Sequence, residues 1–241
     1  MTNSSQVPGR LIRRQKLATR ITHWIWAISL LFLLPSGLQI FNAHPILYLG
    51  DQSGFTFDNA VLRLAGFPGW VTIPSTRDLA TGRVVHFFFA WIFVLNLLAF
   101  FAMSWSNRHL QKDLTPTAND TQHFVQDVRD HLNLKLGHGV RYSPLQKFAY
   151  GGVLFVLFPL IISTGLCMSP GMNAVLPWLP EIFGGRQTAR TIHFAVMVLL
   201  GVFFVVHLAM IVLAGPFNEL RSIVTGYYRT SPRPKKGSCD V

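Results

Sequence analysis

The sequence predicts an all-α integral membrane protein, a four-helix bundle with both termini cytoplasmic, and three observations carry that prediction. Half of the 241 residues are hydrophobic and only 13% are charged, where a soluble domain carries ~25% charge. Four stretches of about 20 mostly apolar residues, 21–40, 84–105, 148–168 and 192–214, contain no Asp, Glu, Lys or Arg. Lys and Arg alternate in density between the connecting segments. Because hydrocarbon leaves no partner for a free backbone amide, each stretch must be helical, and four such helices pack naturally as a bundle.

Each element follows in chain order. The first span comes after Arg10, Arg13, Arg14, Lys16 and Arg20. No small-residue cleavage site is placed behind it, so it reads as a retained helix. The outer loop, 41–83, is rich in apolar rings such as Tyr48, Phe55, Phe57, Phe67 and Trp70. It is expected to lie along the membrane interface or to cover the outer end of the bundle and dock a partner. The inner loop, 106–147, mixes Lys112, Asp113, Asp120, Asp127, Arg129 and Asp130 and reads as a solvated amphipathic segment. The tail, 215–241, is basic and proline-rich, and the whole of 1–241 reads as a single membrane domain.

Five Lys and Arg precede the first span, six lie between spans two and three, and five follow span four, against five elsewhere. That asymmetry places the termini and the middle loop on the cytoplasmic side. The net charge of +11 is therefore an orientation signal with an attraction to anionic head groups of the lipid bilayer, and no nucleic-acid partner is inferred. Cys167 and Cys239 fall on opposite sides of the membrane in this topology. They cannot pair, and neither has metal-site spacing.

The histidines carry the chemistry. His44, His109, His123, His131 and His138 lie in loops, and four others lie in spans. His193 and His207 are fourteen residues apart, about 40° around a helix and about 21 Å along it, so they share one face at two depths. His86 matches the depth of His193 and His23 that of His207, which makes an outer and an inner pair. A packing role is the default for one such histidine, but four at two matched depths suit two porphyrin irons, each gripped by two imidazoles. Zinc would want three or four ligands in one cluster, and none is visible.

The two halves echo each other. Arg83-Val-Val-His86-Phe87 recurs as Arg190-Thr-Ile-His193-Phe194, and Ser36-Gly37-Leu38 as Thr164-Gly165-Leu166. Arg83 and Arg190, one turn outward from their histidines, are placed to hold haem propionates or to snorkel to head groups. Gly37, on the face of His23 and fourteen residues beyond it, and Gly165 leave room for a macrocycle or for close helix packing.

Thr19-Arg20-Ile21-Thr22-His23-Trp24, Gly82-Arg83-Val84-Val85-His86, the run from Tyr142 through Gln146-Lys147 to Tyr150, Thr164-Gly165-Leu166 and the His193/His207 pair together resemble the bacterial cytochrome b561 group over about residues 15 to 230. That group includes cytochrome b subunits of formate dehydrogenases, nickel-iron hydrogenases and thiosulfate-reductase-like systems. The resemblance implies an electron carrier of the bacterial inner membrane with two haem b, His86/His193 on the outer and His23/His207 on the inner. Electrons would pass between the quinone pool, with quinone or quinol as substrate, and an extracytoplasmic redox protein, the chain being an electron-transfer subunit of a quinone-linked oxidoreductase. It also implies quinone contacts from Tyr142, Ser143 and Gln146, although Ser143 stands where the group's motif has asparagine. Ser143-Pro144 equally suits an ordinary helix start.

Other readings compete: a haem-free transporter or proton relay using the intramembrane histidines, a membrane anchor subunit, or direct quinone-linked oxidation of a small oxidant such as superoxide. No span contains Asp or Glu, which weighs against the transporter.

Overall fold

The computed structural model describes residues 6–7, 9–54, 59–107, 115, 117–133, 143–230 and 233–234. Among them are four candidate membrane-spanning helices: α1 (Leu17–Phe41), α2 (Leu79–Asn107, apolar through Trp105), a third span over Pro144–Met168, and α8 (Arg186–Ala214). The third span consists of α4 (Pro144–Gly152), a π-helical turn (Val153–Leu157) and α5 (Phe158–Met168), and short helices α6 (Pro170–Val175) and α7 (Leu179–Ile182) lead from it to α8. Pro159 has no amide hydrogen for the ordinary i→i−4 bond, and the Phe158 N–H reaches back to the Val153 carbonyl across a widened turn.

α1, α2 and α8 begin several residues before the apolar stretches that mark them. Arg20, Arg83 and Arg190 all lie within helix, since hydropathy marks only the hydrocarbon-facing part of a helix whose backbone bonding continues into the interface.

The helices pair closely, α1 against α2 and α5 against α8. Phe93, Leu97 and Phe100 of α2, Val153, Leu154 and Phe158 of the third span, and Val196 and Leu200 of α8 form the buried core, with Trp26 and Leu30 of α1 packed on it. Polar side chains lie inside: Thr22, Ser29, Ser36, Asn96 and Thr164 are buried, while Phe88, Trp91, Leu95, Val202, Val205 and Val212 are exposed. Only 11% of the most apolar window of α8 is buried. A surface this apolar is compatible with lipid and not with water.

At one end, 42–78 is more structured than a plain interfacial loop. It holds an antiparallel hairpin of β3 (Ile46–Tyr48) and β4 (Ala60–Arg63) and a short 3₁₀ turn, Gly69–Val71. This segment caps α8 in place of a side chain: the Gly50 carbonyl accepts from Gln187 N (2.8 Å) and Thr188 N (3.3 Å), satisfying amides that a helix start leaves open. Gly185 (φ 107°) lies so close to Gly50 that a Cβ would sit 2.4 Å from the Gly50 carbonyl carbon. Tyr48 is fully buried, and its carbonyl accepts from Thr191 Oγ1 at 2.7 Å.

At the other end, β1 (Gln6–Val7) pairs with β6 (Arg233–Pro234) and β2 (Leu11–Arg13) with β5 (Tyr227–Arg229), so the segments flanking the bundle share that end. Arg14 bonds Glu219 of α9 (Pro216–Thr225) at 3.0 Å and lies over the Tyr228 ring. The amphipathic segment of the inner loop is α3 (Ala118–Leu132). It packs on α4 through Phe124 and Phe148, and Asp127 accepts from Leu145 N at 2.8 Å.

Lys147 bonds Asp120 at 2.8 Å, and Thr117 donates to the same carboxylate oxygen through both N and Oγ1. Lys147 first, then Thr117, holds the Asp120 carboxyl at about 2. A depressed carboxylate contributes stability above its unfolded value of ~3.9, and that contribution fades as pH falls through the folded value. Asp120→Asn is therefore expected to lower the melting temperature modestly at pH 7, with the gap to wild type closing as pH falls from ~4 toward ~2. A gap independent of pH in a melting series contradicts this assignment.

Candidate functional site

The four intramembrane histidines meet as two pairs. Ring centroids of His86 and His193 are 6.5 Å apart, and those of His23 and His207 are 6.3 Å apart. α2 and α8 supply the first pair, α1 and α8 the second. Gly37 and Gly165 both lie beside the His86/His193 level, so His207, fourteen residues along α8, marks a separate level with His23.

The His86/His193 pair is held by a repeated device. His86 Nδ1 lies 3.2 Å from the Leu33 carbonyl and 3.1 Å from Ser36 Oγ. His193 Nδ1 lies 3.1 Å from Thr164 Oγ1, with the Ile161 carbonyl beside the ring as a further acceptor. A carbonyl can only accept, so each Nδ1 carries the proton and each Nε2 keeps its lone pair. The Ser36 and Thr164 hydroxyls are turned back onto Phe32 and Leu160 carbonyls, both at 2.6 Å. Leu33, Ser36 and Gly37 of α1 thus do for His86 what Ile161, Thr164 and Gly165 of α5 do for His193.

The room left by each glycine is taken by an imidazole. A Cβ on Gly37 would lie 3.2 Å from His86 Cε1, and one on Gly165 would lie 3.3 Å from His193 Cε1. The sequence pointed to these glycines as room for a macrocycle or for helix packing. Their immediate neighbour is the histidine ring itself.

The His23/His207 pair sits among aromatic rings. Phe203 stacks on His207 (5.8 Å, 16°), Tyr150 meets it edge-on (6.5 Å, 75°), and Trp24 meets His23 edge-on (5.6 Å). His23 Nδ1 is buried with no hydrogen-bond partner, the kind of orphan that a bound group or water normally explains.

This donor set fits an iron porphyrin. Imidazole nitrogen binds first-row metals at ~2.0–2.1 Å, so two rings opposed across one ion have centroids roughly 6.3 Å apart, matching both pairs. Protonated Nδ1 bonded to a carbonyl is the usual arrangement behind a ligating Nε2. Among the described residues no three of His, Cys, Asp and Glu gather as a metal cage, so the donors come in twos.

The remaining predicted residues fall differently. Arg190 donates to the Ile46 carbonyl at 2.9 Å and to the His44 carbonyl, and its guanidinium lies over the Phe41 ring. It pins the segment leading into β3 against α8 near His193, a use not legible in the sequence. Burial, followed by the Arg190 charge beside it, keeps His44 below the ordinary histidine range. Arg190→Gln is expected to free this segment, raising the rate of limited proteolysis near Leu49 severalfold; an unchanged rate contradicts the pinning role. Arg83 is exposed at the surface of α2.

Ser143 and Gln146 form a capping box at the start of α4: Ser143 Oγ accepts from Gln146 N, and Gln146 Oε1 accepts from Ser143 N. The helix-start reading of this motif is thus realised, and it uses acceptor atoms of both side chains. Tyr142 lies outside the described residues. The roles missed from sequence were those of the Leu33 and Ile161 carbonyls and of Tyr150 and Phe203. The recurrence of a hydroxyl-Gly-Leu tripeptide was the signal for the first two.

Comparison with known proteins identifies the family. The profile described as prokaryotic cytochrome b561 matches residues 14–226. A protein of Azospira oryzae named as a protein-methionine-sulfoxide reductase subunit, YedZ1, is 27% identical over 198 residues, 80% of this chain and 87% of its own length. One of Cupriavidus necator named as a Ni/Fe-hydrogenase B-type cytochrome subunit is 22% identical over 224 residues, 86% and 83% of the two chains. A protein of Escherichia coli named as cytochrome YdhU is 33% identical over 93 residues, 37% of this chain and 33% of its own. No solved structure matches significantly. With a family match spanning most of the chain and four apolar helices to carry it, this protein belongs to the prokaryotic cytochrome b561 family, multi-pass membrane electron carriers of the cytochrome b type.

Proposed function

We propose that the chain holds two haem b, ligated by His86 with His193 and by His23 with His207, and passes electrons across the membrane between quinone and an extracytoplasmic redox subunit. The observation that carries this reading is the match of both histidine pairs to opposed ligation of one metal each, at 6.5 and 6.3 Å between ring centres. Six-coordinate haem supplies reversible one-electron chemistry with no open position for oxygen.

The chain's own contribution is placement and insulation. Leu33 and Ile161 carbonyls fix the tautomer of the outer imidazoles, and Gly37 and Gly165 let those rings lie against α1 and α5. Phe203 and Tyr150 surround His207 with low-polarity rings, which favours the less charged redox state of a nearby group.

The start of α4 is the proposed place for quinone. The capping box uses acceptors of Ser143 and Gln146, whereas a quinone oxygen needs donors, which a serine hydroxyl and a glutamine amide still have. Tyr142, adjoining Ser143 in the sequence, carries a third donor by residue type. The Lys and Arg distribution supports a cytoplasmic side for this end in a bacterial inner membrane, with the hairpin end turned outward toward a partner. Relatives named as subunits of a reductase and of a hydrogenase support a partnered carrier. Direction is then set by the flanking potentials together with ~2.3 kcal/mol per 100 mV for a charge crossing the whole membrane.

Addition of quinol to the purified chain in lipid nanodiscs tests this reading. Reduction of b-type absorbance within seconds is expected, slowed about tenfold or more in a Ser143→Ala/Gln146→Leu variant that still binds both haems. No quinol-dependent reduction of a haem-replete chain rejects the quinone link and leaves an anchor or another donor.

A further inference from the structure

A cavity away from the histidines lies where α8 gives way to α9. It has a volume of about 350 Å³ and is lined by Ala214, Phe217, Asn218, Arg221, Tyr228 and Arg229 together with Thr230. We propose that it binds the phosphodiester headgroup of an anionic phospholipid, whose acyl chains run along the exposed apolar face beside it.

The position comes first. Ala214 is the last residue of α8, and Gly215 (φ 105°) turns the chain directly into α9. The cavity therefore opens where the span leaves hydrocarbon, at headgroup depth. Its volume is in the range of small-ligand sites, ~300–1,000 Å³.

The donors come next. Arg221 and Arg229 bring two guanidinium groups to one cavity, and Arg221 Nε is buried with no hydrogen-bond partner. Asn218 is already committed, accepting from Arg221 and from Arg229 N and donating to the Arg229 carbonyl. These bonds set the arginine-bearing helix and strand against each other. Glu219, the acid carried by α9, is taken up by Arg14 at 3.0 Å, so it leaves the two arginines uncompensated by it. Two guanidinium forks around one pocket suit a phosphate oxygen pair.

The third observation separates a lipid from a soluble phosphate. Phe217 is 90% exposed, with Leu220 at 51% and Val224 at 48% following at i+3 and i+7. These three form one stripe along α9. Val212 and Leu213, at 64% and 50%, continue the apolar surface onto the end of α8. A free phosphate gives this stripe nothing to cover it. An interfacial helix with basic residues beside an apolar stripe is the pattern of binding to an anionic lipid surface.

The test is native mass spectrometry of the delipidated, detergent-solubilised full chain, titrated separately with phosphatidylglycerol, phosphatidylcholine and inorganic phosphate. Preferential retention of phosphatidylglycerol is expected. Each basic residue near an anionic surface is worth about fivefold in affinity, so Arg221→Gln/Arg229→Gln should lower that preference by roughly 25-fold. Arg13→Gln removes an exposed charge at the same end but outside the cavity, and should change it by no more than about twofold. Phe217→Ser should weaken both phospholipids together. Should the double variant fail to fold, Arg229→Gln alone, an exposed strand residue, is expected to cost about fivefold. The proposal is overturned if the arginine variants keep the wild-type preference, if Arg13→Gln costs as much as they do, or if inorganic phosphate binds as tightly as phosphatidylglycerol.

Discussion

Alanine in place of His193 is expected to remove one of about two haem b centres and leave the other, so that haem per chain falls by about half. His86→Ala should give the same spectrum, and the double variant His86→Ala/His193→Ala should lose no more, because two residues that grip one group from opposite sides act as a unit. His23→Ala and His207→Ala should remove the other centre. Combining one substitution from each pair, such as His86→Ala with His23→Ala, should abolish binding. This non-additive pattern follows from ring separations of 6.5 and 6.3 Å within pairs and from the separate levels of the pairs along α8. Haem extraction with quantitation by pyridine haemochrome measures it. Losses that simply add across all four histidines, or His86→Ala and His193→Ala removing different bands, contradict the pairing.

The second large effect concerns the glycines. Gly165→Val places a branched side chain where a Cβ alone would already lie 3.3 Å from His193 Cε1, and Gly37→Val does the same at 3.2 Å from His86 Cε1. Each added methyl group must displace the imidazole or the helix. Overpacking of this kind typically costs ~1–3 kcal/mol, and here the strain falls on the proposed ligand. Either substitution should therefore lower haem content by about half, taking the same band as His193→Ala. Gly201→Val, on α8 between the two histidines with nothing within 4 Å of its Cβ position, should leave both centres intact. If Gly201→Val is as damaging as the other two, the effect is general helix disruption and the glycines have no special relation to the histidines.

The sequence carried the spans and the histidine pairing because both rest on periodicities that hydrocarbon enforces: an apolar run long enough to cross, and a fixed rise and rotation per residue. His193 and His207 could be placed on one face from their spacing alone. The echo of Ser36-Gly37-Leu38 in Thr164-Gly165-Leu166 was visible too, but its use was not. That use depends on carbonyls of Leu33 and Ile161, one turn earlier, meeting rings from another helix. Backbone acceptors leave no mark on composition.

Arg190 shows the same limit from the other side. Its place about one turn from His193 follows from sequence spacing, yet its partners are the His44 and Ile46 carbonyls, well over a hundred residues earlier in the chain. The β3–β4 hairpin was hidden for a related reason, since its register is set by packing over α8 and not by alternation in so short a pair. The π turn before Phe158 follows from Pro159, a residue whose missing donor is apparent in the sequence although the way the helix accommodates it is not.

The most direct test is the haem content and spin state of the purified, haem-supplied chain. About two haem b per chain are expected, both low-spin and six-coordinate through two imidazoles, seen as sharp reduced-minus-oxidised bands with low-spin electron paramagnetic resonance signals. A chain that takes up no haem, only one, or haem with an open high-spin position contradicts this expectation.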